Sequence, residues 1–359
     1  MRACVLRLCG LLALAACEAP PPPQSTTRGT EAVSPSADTT ARPVFRTREW
    51  TIDDGLPTPV ESIAQTPDGY LWMATSDGLA RFDGHRFVVF TTETTPLFRS
   101  HLFLAVDVLP SGDLWVGTRD RWAYRLRDGE WSAYSLDDAF SGEHWIQGFE
   151  EDAEGTVWAV STGPYLARFD GEAWTRHTDR LELSWPAFTA DAQGVLWSKL
   201  HAGEAPDVPT APIGGDLVAR LVGTRFEPVI QEGLIGMAAT QYGPLLHVRE
   251  EPSSAPGDRF RVTLTDAEGE ALTWIWFDDI TERAMLVDRA GRAWVQLSDA
   301  EGQNELAVVK DGEEMARFRP EGATWFEDVY EDRQGAIWTF STSTGLIQIT
   351  EDPFRRFTT

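Results

Sequence analysis

The chain is poor in cysteine and lysine and lacks any familiar catalytic signature, and each shortage narrows what it can do. All three cysteines, Cys4, Cys9 and Cys17, lie at the extreme N-terminus. The rest of the chain can form neither a disulfide nor a Cys-ligated metal site. Lysine occurs only at Lys199 and Lys310, so arginine carries nearly all the positive charge. Against 31 basic residues stand 56 acidic ones, a formal charge of −25. A surface of that sign repels phosphate backbones and argues against a nucleic-acid reader. No G-x-S-x-G, H-E-x-x-H, G-x-x-x-x-G-K or EF-hand loop occurs. Sustained 3.6-residue apolar stripes with helix caps are also missing. What the sequence does have is 42% apolar residues, enough for a folded core.

The N-terminus reads as an address. Arg2 and Arg7 lead into an apolar stretch, residues 8–16, too short to span a bilayer as a helix. It ends Leu14-Ala15-Ala16-Cys17. This arrangement resembles the lipobox of bacterial lipoproteins. The resemblance implies cleavage before Cys17, acylation of its thiol and anchorage at the periplasmic or outer-surface side of the cell envelope. An ordinary signal peptide with an incidental cysteine is the alternative. Residues 18–44 hold no aromatic residue and one larger aliphatic, Val33, and read as a Pro/Ser/Thr-rich tether of about 30 Å.

From residue 45 onward a tryptophan recurs after a glycine turn: Trp72, Trp115, Trp158, Trp197, Trp294 and Trp338. The spacings are 43, 43, 39, 97 and 44, and the long one is two periods with a degenerate copy, residues 242–248, where Leu replaces Trp. Each period divides into short pieces bounded by Gly, Asp, Ser or Pro, as in VESIAQT, YLWMAT, LARFDG and HRFVVFT. Pieces this short and this rich in β-branched and aromatic residues are strands. Four strands in a period of about 45 residues predict an all-β, seven-bladed β-propeller with four-stranded antiparallel blades over residues 45–359. The repeated Trp is then a wedge between blades. Both FRTREWT, residues 45–51, and PFRRFT, residues 353–358, compete for the last outer strand, and the N-terminal segment is favoured because it leads straight into the first blade. The D-x-x-G pieces at Asp152, Asp191, Asp288 and Asp332 read as turn chemistry.

The run Trp50 to Phe90, with GLP, V-x-x-I, DG-x-LW and a Gly-led strand closing in RFDG, resembles the propeller repeats of two-component regulator sensors. That resemblance implies an extracytoplasmic module that detects ligands, often carbohydrate breakdown products. The membrane helix and kinase that usually follow in that family do not occur in this sequence, so transmembrane signalling is not carried over.

Counting back from each repeat Trp locates the loops that enter the inner strands and should converge at one mouth of the channel. They supply Thr58, His101, His144 and Thr324, then Pro59, Leu102, Trp145 and Trp325, then Glu61, Leu104, Gln147 and Glu327, with Trp185 in the fourth repeat. Aromatic faces beside carboxylate and amide groups suit a sugar or another polar, flat-faced ligand, although the same tryptophans can simply plug the channel. Arg119 and Arg121 flank a Trp-containing loop and could pair an anion. The long loop at residues 201–215 is either a lid or decoration. No metal and no cofactor is expected. The expected role is a non-catalytic, lipid-anchored module that binds a small ligand or an envelope protein without obligate oligomerisation. A propeller lyase of the streptogramin-lyase type and a scaffold subunit of an envelope complex are the alternatives.

Overall fold

The structure is a computed structural model in which residues 43–352 are described apart from 164, 179–182, 192, 202–215, 224, 231–233, 239–245, 253–259, 266–270, 278–279, 299–303, 311, 320–325, 327 and 342–344. The chain divides into two units, residues 1–41 and 42–359. The signal segment and almost all of the tether lie outside the described residues, as does PFRRFT.

The second unit holds seven four-stranded antiparallel sheets, as the repeats predict. Six are meanders of consecutive strands. The seventh runs Asp328–Glu331, Ile337–Ser341 and Gly345–Glu351, and its outermost strand is the N-terminal Phe45–Trp50. That strand pairs in register from Phe45 with Glu351 to Trp50 with Leu346. The N-terminal segment therefore closes the last blade, and the ring is fastened by hydrogen bonds between distant parts of the chain.

The inner strands are Val60–Gln65, Phe103–Val108, Ile146–Glu151, Leu183–Ala190, Leu234–Ala238, Ile280–Val287 and Asp328–Glu331. Neighbouring inner strands touch around the ring. Between the fourth and fifth blades the contact is made instead by Asp216–Val222 against Leu234–Ala238. In the fifth blade Leu246 pairs with Ala238, as Trp72 pairs with Ala64 in the first, so Leu does take the tryptophan's place.

The core lies between the blades. Trp72 packs with Phe103, Val106 and Leu114 of the next sheet, and Trp115 with Phe149, Val157 and Phe169. Trp158 meets Leu196 and Ala219, Trp294 meets Val329 and Ile337, and Trp338 meets Trp50, Ile63 and Met73. A lone four-stranded sheet cannot bury both faces, and radial packing on a large flat ring gives each sheet its neighbour as a cover.

The closing seam is tight. Trp50 stacks on Trp338 at 5.3 Å and meets Phe82 edge-on at 5.2 Å. Gly345 has φ of +92°, and a Cβ there would collide with the Trp50 carbonyl oxygen. Gly345→Ala is therefore expected to loosen this strand. It should lower Tm by about 5 °C or more, with new proteolysis near residues 45–50. An unchanged Tm would mean that the seam tolerates the side chain.

Candidate ligand-binding rim and acidic channel

Single-residue bulges recur in the inner strands. The register shifts between Val60 and Ser62, between Phe103 and Ala105, between Ile146 and Gly148, and between Leu234 and Gly236. The extra residues are Glu61, Leu104, Gln147 and Ile235. The first three sit at the equivalent position singled out from the sequence, eleven before the repeat Trp. A bulge re-aims its side chain out of the regular alternation and increases local twist, and bulges concentrate at rims and beside sites. Glu61 is half-buried and accepts a hydrogen bond from the Ser76 hydroxyl at 3.2 Å.

The loops of the second and third blades bring several candidates together. The Arg119 guanidinium lies over the Trp145 ring, 5.4 Å from its centroid. Both residues are held by their backbones: Arg119 N–H donates to Leu102 O at 3.2 Å, and Trp145 exchanges bonds with Thr162 at 3.0 and 3.2 Å. His144 sits edge-on to Tyr165 at 5.4 Å and packs so closely over Gly163 that a Cβ there would strike its imidazole. His101 is exposed on the adjoining loop. Arg121 occupies the place of the turn glycine, with φ of +64°. Its guanidinium is already engaged, by Asp137 Oδ1 at 2.9 Å and Gly142 O at 2.9 Å. Thr324, Trp325, Glu327 and almost all of the loop at 201–215 lie outside the described residues. Trp185 lies on the strand Leu183–Ala190, and its side chain is not described.

A second group escaped the sequence reading. Asp107, Glu150 and Asp328 stand on inner strands. Lost hydration inside the ring is the main cause that raises the pKa of the part-buried Asp107 to about 7 and of the part-buried Glu150 to about 8; Asp328, whose surface is exposed, moves in the same direction and by less. Asp328 also raises Asp107 although the two belong to blades separated by another, so both carboxylates face the space around the ring axis. Asp107 accepts the Phe149 N–H of the next blade at 3.0 Å. Glu150 is bonded to the Ala190 backbone and the Thr189 hydroxyl of the blade after that. Ser62 likewise reaches Val106, and the Tyr330 hydroxyl accepts the Gln65 N–H. In blades one to four the inner strand is an edge whose free backbone groups are met by side chains of the preceding blade. Six of the seven inner strands carry neither Arg nor Lys, and the exception, Ile280–Val287, carries Arg283. The channel is therefore acidic while the rim of blades two and three carries arginines. Among the described residues no group of three or more His, Cys, Asp or Glu side chains has the arrangement of a metal site.

No family model matches the sequence, and no curated protein matches it. Solved structures do. The protein is a β-propeller. It superposes on a streptogramin B lyase with a TM-score of 0.58 and 14% identity, over 86% of this chain and 98% of that one. YCF48 bound to a D1 peptide gives 0.59 and 12%, over 86% and 97%. The WD40 propeller domain of Doa1 gives 0.51 and 10%, over 82% and 93%. At these identities the likeness is one of fold.

Proposed function

We propose that this propeller is a non-catalytic binding module, lipid-anchored through Cys17 outside the cytoplasm, that engages a ligand or partner protein at the rim of its second and third blades. The observation that carries the reading is the Arg119–Trp145 pair, on loops of adjacent blades and pinned by backbone hydrogen bonds. Rigid, partly exposed aromatic and guanidinium groups at a loop face are the usual anchors of recognition. The resemblance to two-component regulator propellers supports an extracytoplasmic sensor-like role, and the lipobox-like LAAC supports the anchor.

The catalytic alternative draws on the lyase of the same fold, and an activity screen on the purified chain separates the two readings. For the binding reading, Trp145→Ala is expected to abolish any hit in a thermal-shift screen of glycans and peptides while leaving the unliganded Tm within about 2 °C. Cys17→Ser is expected to move the protein from the membrane fraction to the soluble one. Equal binding by Trp145→Ala would overturn the rim, and membrane retention of Cys17→Ser would overturn the anchor.

A further inference from the structure

Several arginines among the described residues of this acidic chain are consumed in ion pairs. Arg46 pairs with Asp352, Arg125 and Arg127 with Asp113, Arg292 with Asp288 and Glu351, and Arg317 with Glu305 and Glu314. Other exposed arginines also lie over rings, Arg48 over Trp50 at 4.5 Å and Arg176 over Tyr165 at 4.7 Å, but Arg99 and Arg119 come as a pair on linked loops. Both are exposed, both sit on the loop face of the second blade, and neither forms an ion pair among the described residues. Each is laid on a tryptophan, Arg99 over Trp122 at 5.0 Å and Arg119 over Trp145 at 5.4 Å. Their loops are tied together and to the blade: Arg119 N–H donates to Leu102 O, three residues past Arg99, and Arg99 N–H donates to the Tyr124 hydroxyl at 2.8 Å.

We infer that this face is a docking surface for an acidic peptide segment of a partner protein, with Arg99 and Arg119 pairing its carboxylates and Trp122 and Trp145 holding the two guanidinium groups in place. The inference rests on the rim reading above and adds the chemistry of the partner. A guanidinium held over an indole at cation–π distance still has N–H donors to offer, which suits pairing with a carboxylate. Stacking and backbone ties remove much of the ordering cost that an arginine otherwise incurs on binding.

Local acids stand beside the patch and compete with a partner's carboxylates for it. Arg121 neutralises Asp137, while Asp120, which accepts the Thr118 hydroxyl at 2.7 Å, and the exposed Asp138 and Glu143 have no ion-pair partner among the described residues, so the advantage of Arg99 and Arg119 lies in their placement over the two indoles. The net charge of −25 acts at longer range and is screened beyond about 8 Å at physiological salt. A saccharide is less well served. Its C–H faces need an open aromatic plate, and at Trp122 and Trp145 a guanidinium already occupies one face. The acidic channel behind the rim keeps an anionic ligand at the surface.

The test is fluorescence anisotropy of the full chain with a labelled oligo-glutamate peptide. Oligo-glutamine, oligo-lysine and oligogalacturonate serve as comparison probes. The inference expects oligo-glutamate to bind best, Arg119→Gln and Arg99→Gln each to weaken it about tenfold or more, and Arg119→Lys to recover part of the loss. Unchanged circular dichroism and Tm in these variants show that the fold is intact. If oligogalacturonate binds better, or if binding is lost in Trp145→Ala but kept in both Gln variants, the acidic-peptide inference fails while the rim stands. If no probe's binding responds to any of these variants, the rim reading itself fails. Absence of binding to every probe overturns the acidic-peptide inference.

Discussion

Asp288→Ala is expected to be among the most damaging single changes in the propeller, costing about 4 kcal/mol or more. The aspartate sits in the turn between the first two strands of the sixth blade, and its side chain is fully buried. One oxygen, Oδ1, accepts the backbone N–H groups of Ala290 and Arg292, both at 2.9 Å. The other, Oδ2, accepts the indole N–H of Trp294 at 2.9 Å and Arg292 Nε at 2.6 Å. Truncation leaves two turn donors and a fully buried indole N–H without acceptors, each costing about 1–3 kcal/mol where water cannot replace the lost bond. It also leaves Arg292, whose side chain is 10% exposed, with Glu351 as its remaining carboxylate. Removing one partner of a buried ion pair alone costs about 3–5 kcal/mol. The terms overlap, so the total falls short of their sum. Asp288→Asn should recover part of the loss, because the turn acceptor survives. Thr66→Ala should cost only about 1 kcal/mol, since Thr66 gives the Trp72 indole a single bond at 3.1 Å. Urea denaturation followed by tryptophan fluorescence orders the three variants. A midpoint for Asp288→Ala equal to wild type would refute this account of the motif.

The same arrangement recurs at Asp152–Trp158, Asp191–Trp197 and Asp332–Trp338, with indole bonds of 2.7, 2.8 and 2.7 Å. It shows how far the sequence could be read. The period, the strand lengths and the glycine turns were legible because each is local. A tryptophan must sit mid-strand to wedge two blades, and the tight turn before it needs Gly and Asp. That the aspartate has a second task, capping the indole six residues later, is what distinguishes it from any other turn former. The second blade marks the rule by breaking it: Leu109 stands at the aspartate's position, and the buried Trp115 Nε1 has no hydrogen-bond partner among the described residues.

The site was legible in part. Counting back from the tryptophans found Glu61, Leu104 and Gln147 because equivalent bulges keep the repeat spacing. It placed Arg119 and Trp145 in separate lists, since their contact depends on how one blade's hairpin leans on the next blade's entry loop. It passed over Asp107 and Glu150, although they too lie 43 residues apart, each eight before a repeat Trp. A carboxylate inside an apolar strand such as FLAVDV, repeated at the blade period, was the available signal.

These channel carboxylates carry the other large expectation: the propeller should lose stability as pH rises through neutrality, and Glu150→Gln should cancel much of that loss. Unfolded, the two groups release their protons near the ordinary values of 3.8 for Asp and 4.5 for Glu. Folded, they hold them to about 7 at Asp107 and about 8 at Glu150, chiefly through burial, with the Asp107 charge adding to Glu150. Between those limits the native state binds more protons than the unfolded state, so stability falls with rising pH. The stabilising contribution is complete below about pH 4 and gone above about pH 8, the reverse of a salt-bridged carboxylate. Near pH 5 Glu150 is neutral in the native state, and glutamine in its place should change Tm little. Near pH 9 the wild type must carry charge in the acidic channel, and the variant should be more stable by about 2 kcal/mol, allowing for water in the channel, or about 5 °C in Tm. Asp107→Asn should act in the same direction and lower the pKa of Glu150 by removing its nearest like charge. Tm measured across this pH range for wild type and both variants decides the matter. Parallel curves, with no convergence at low pH, would show that these carboxylates titrate as ordinary surface groups.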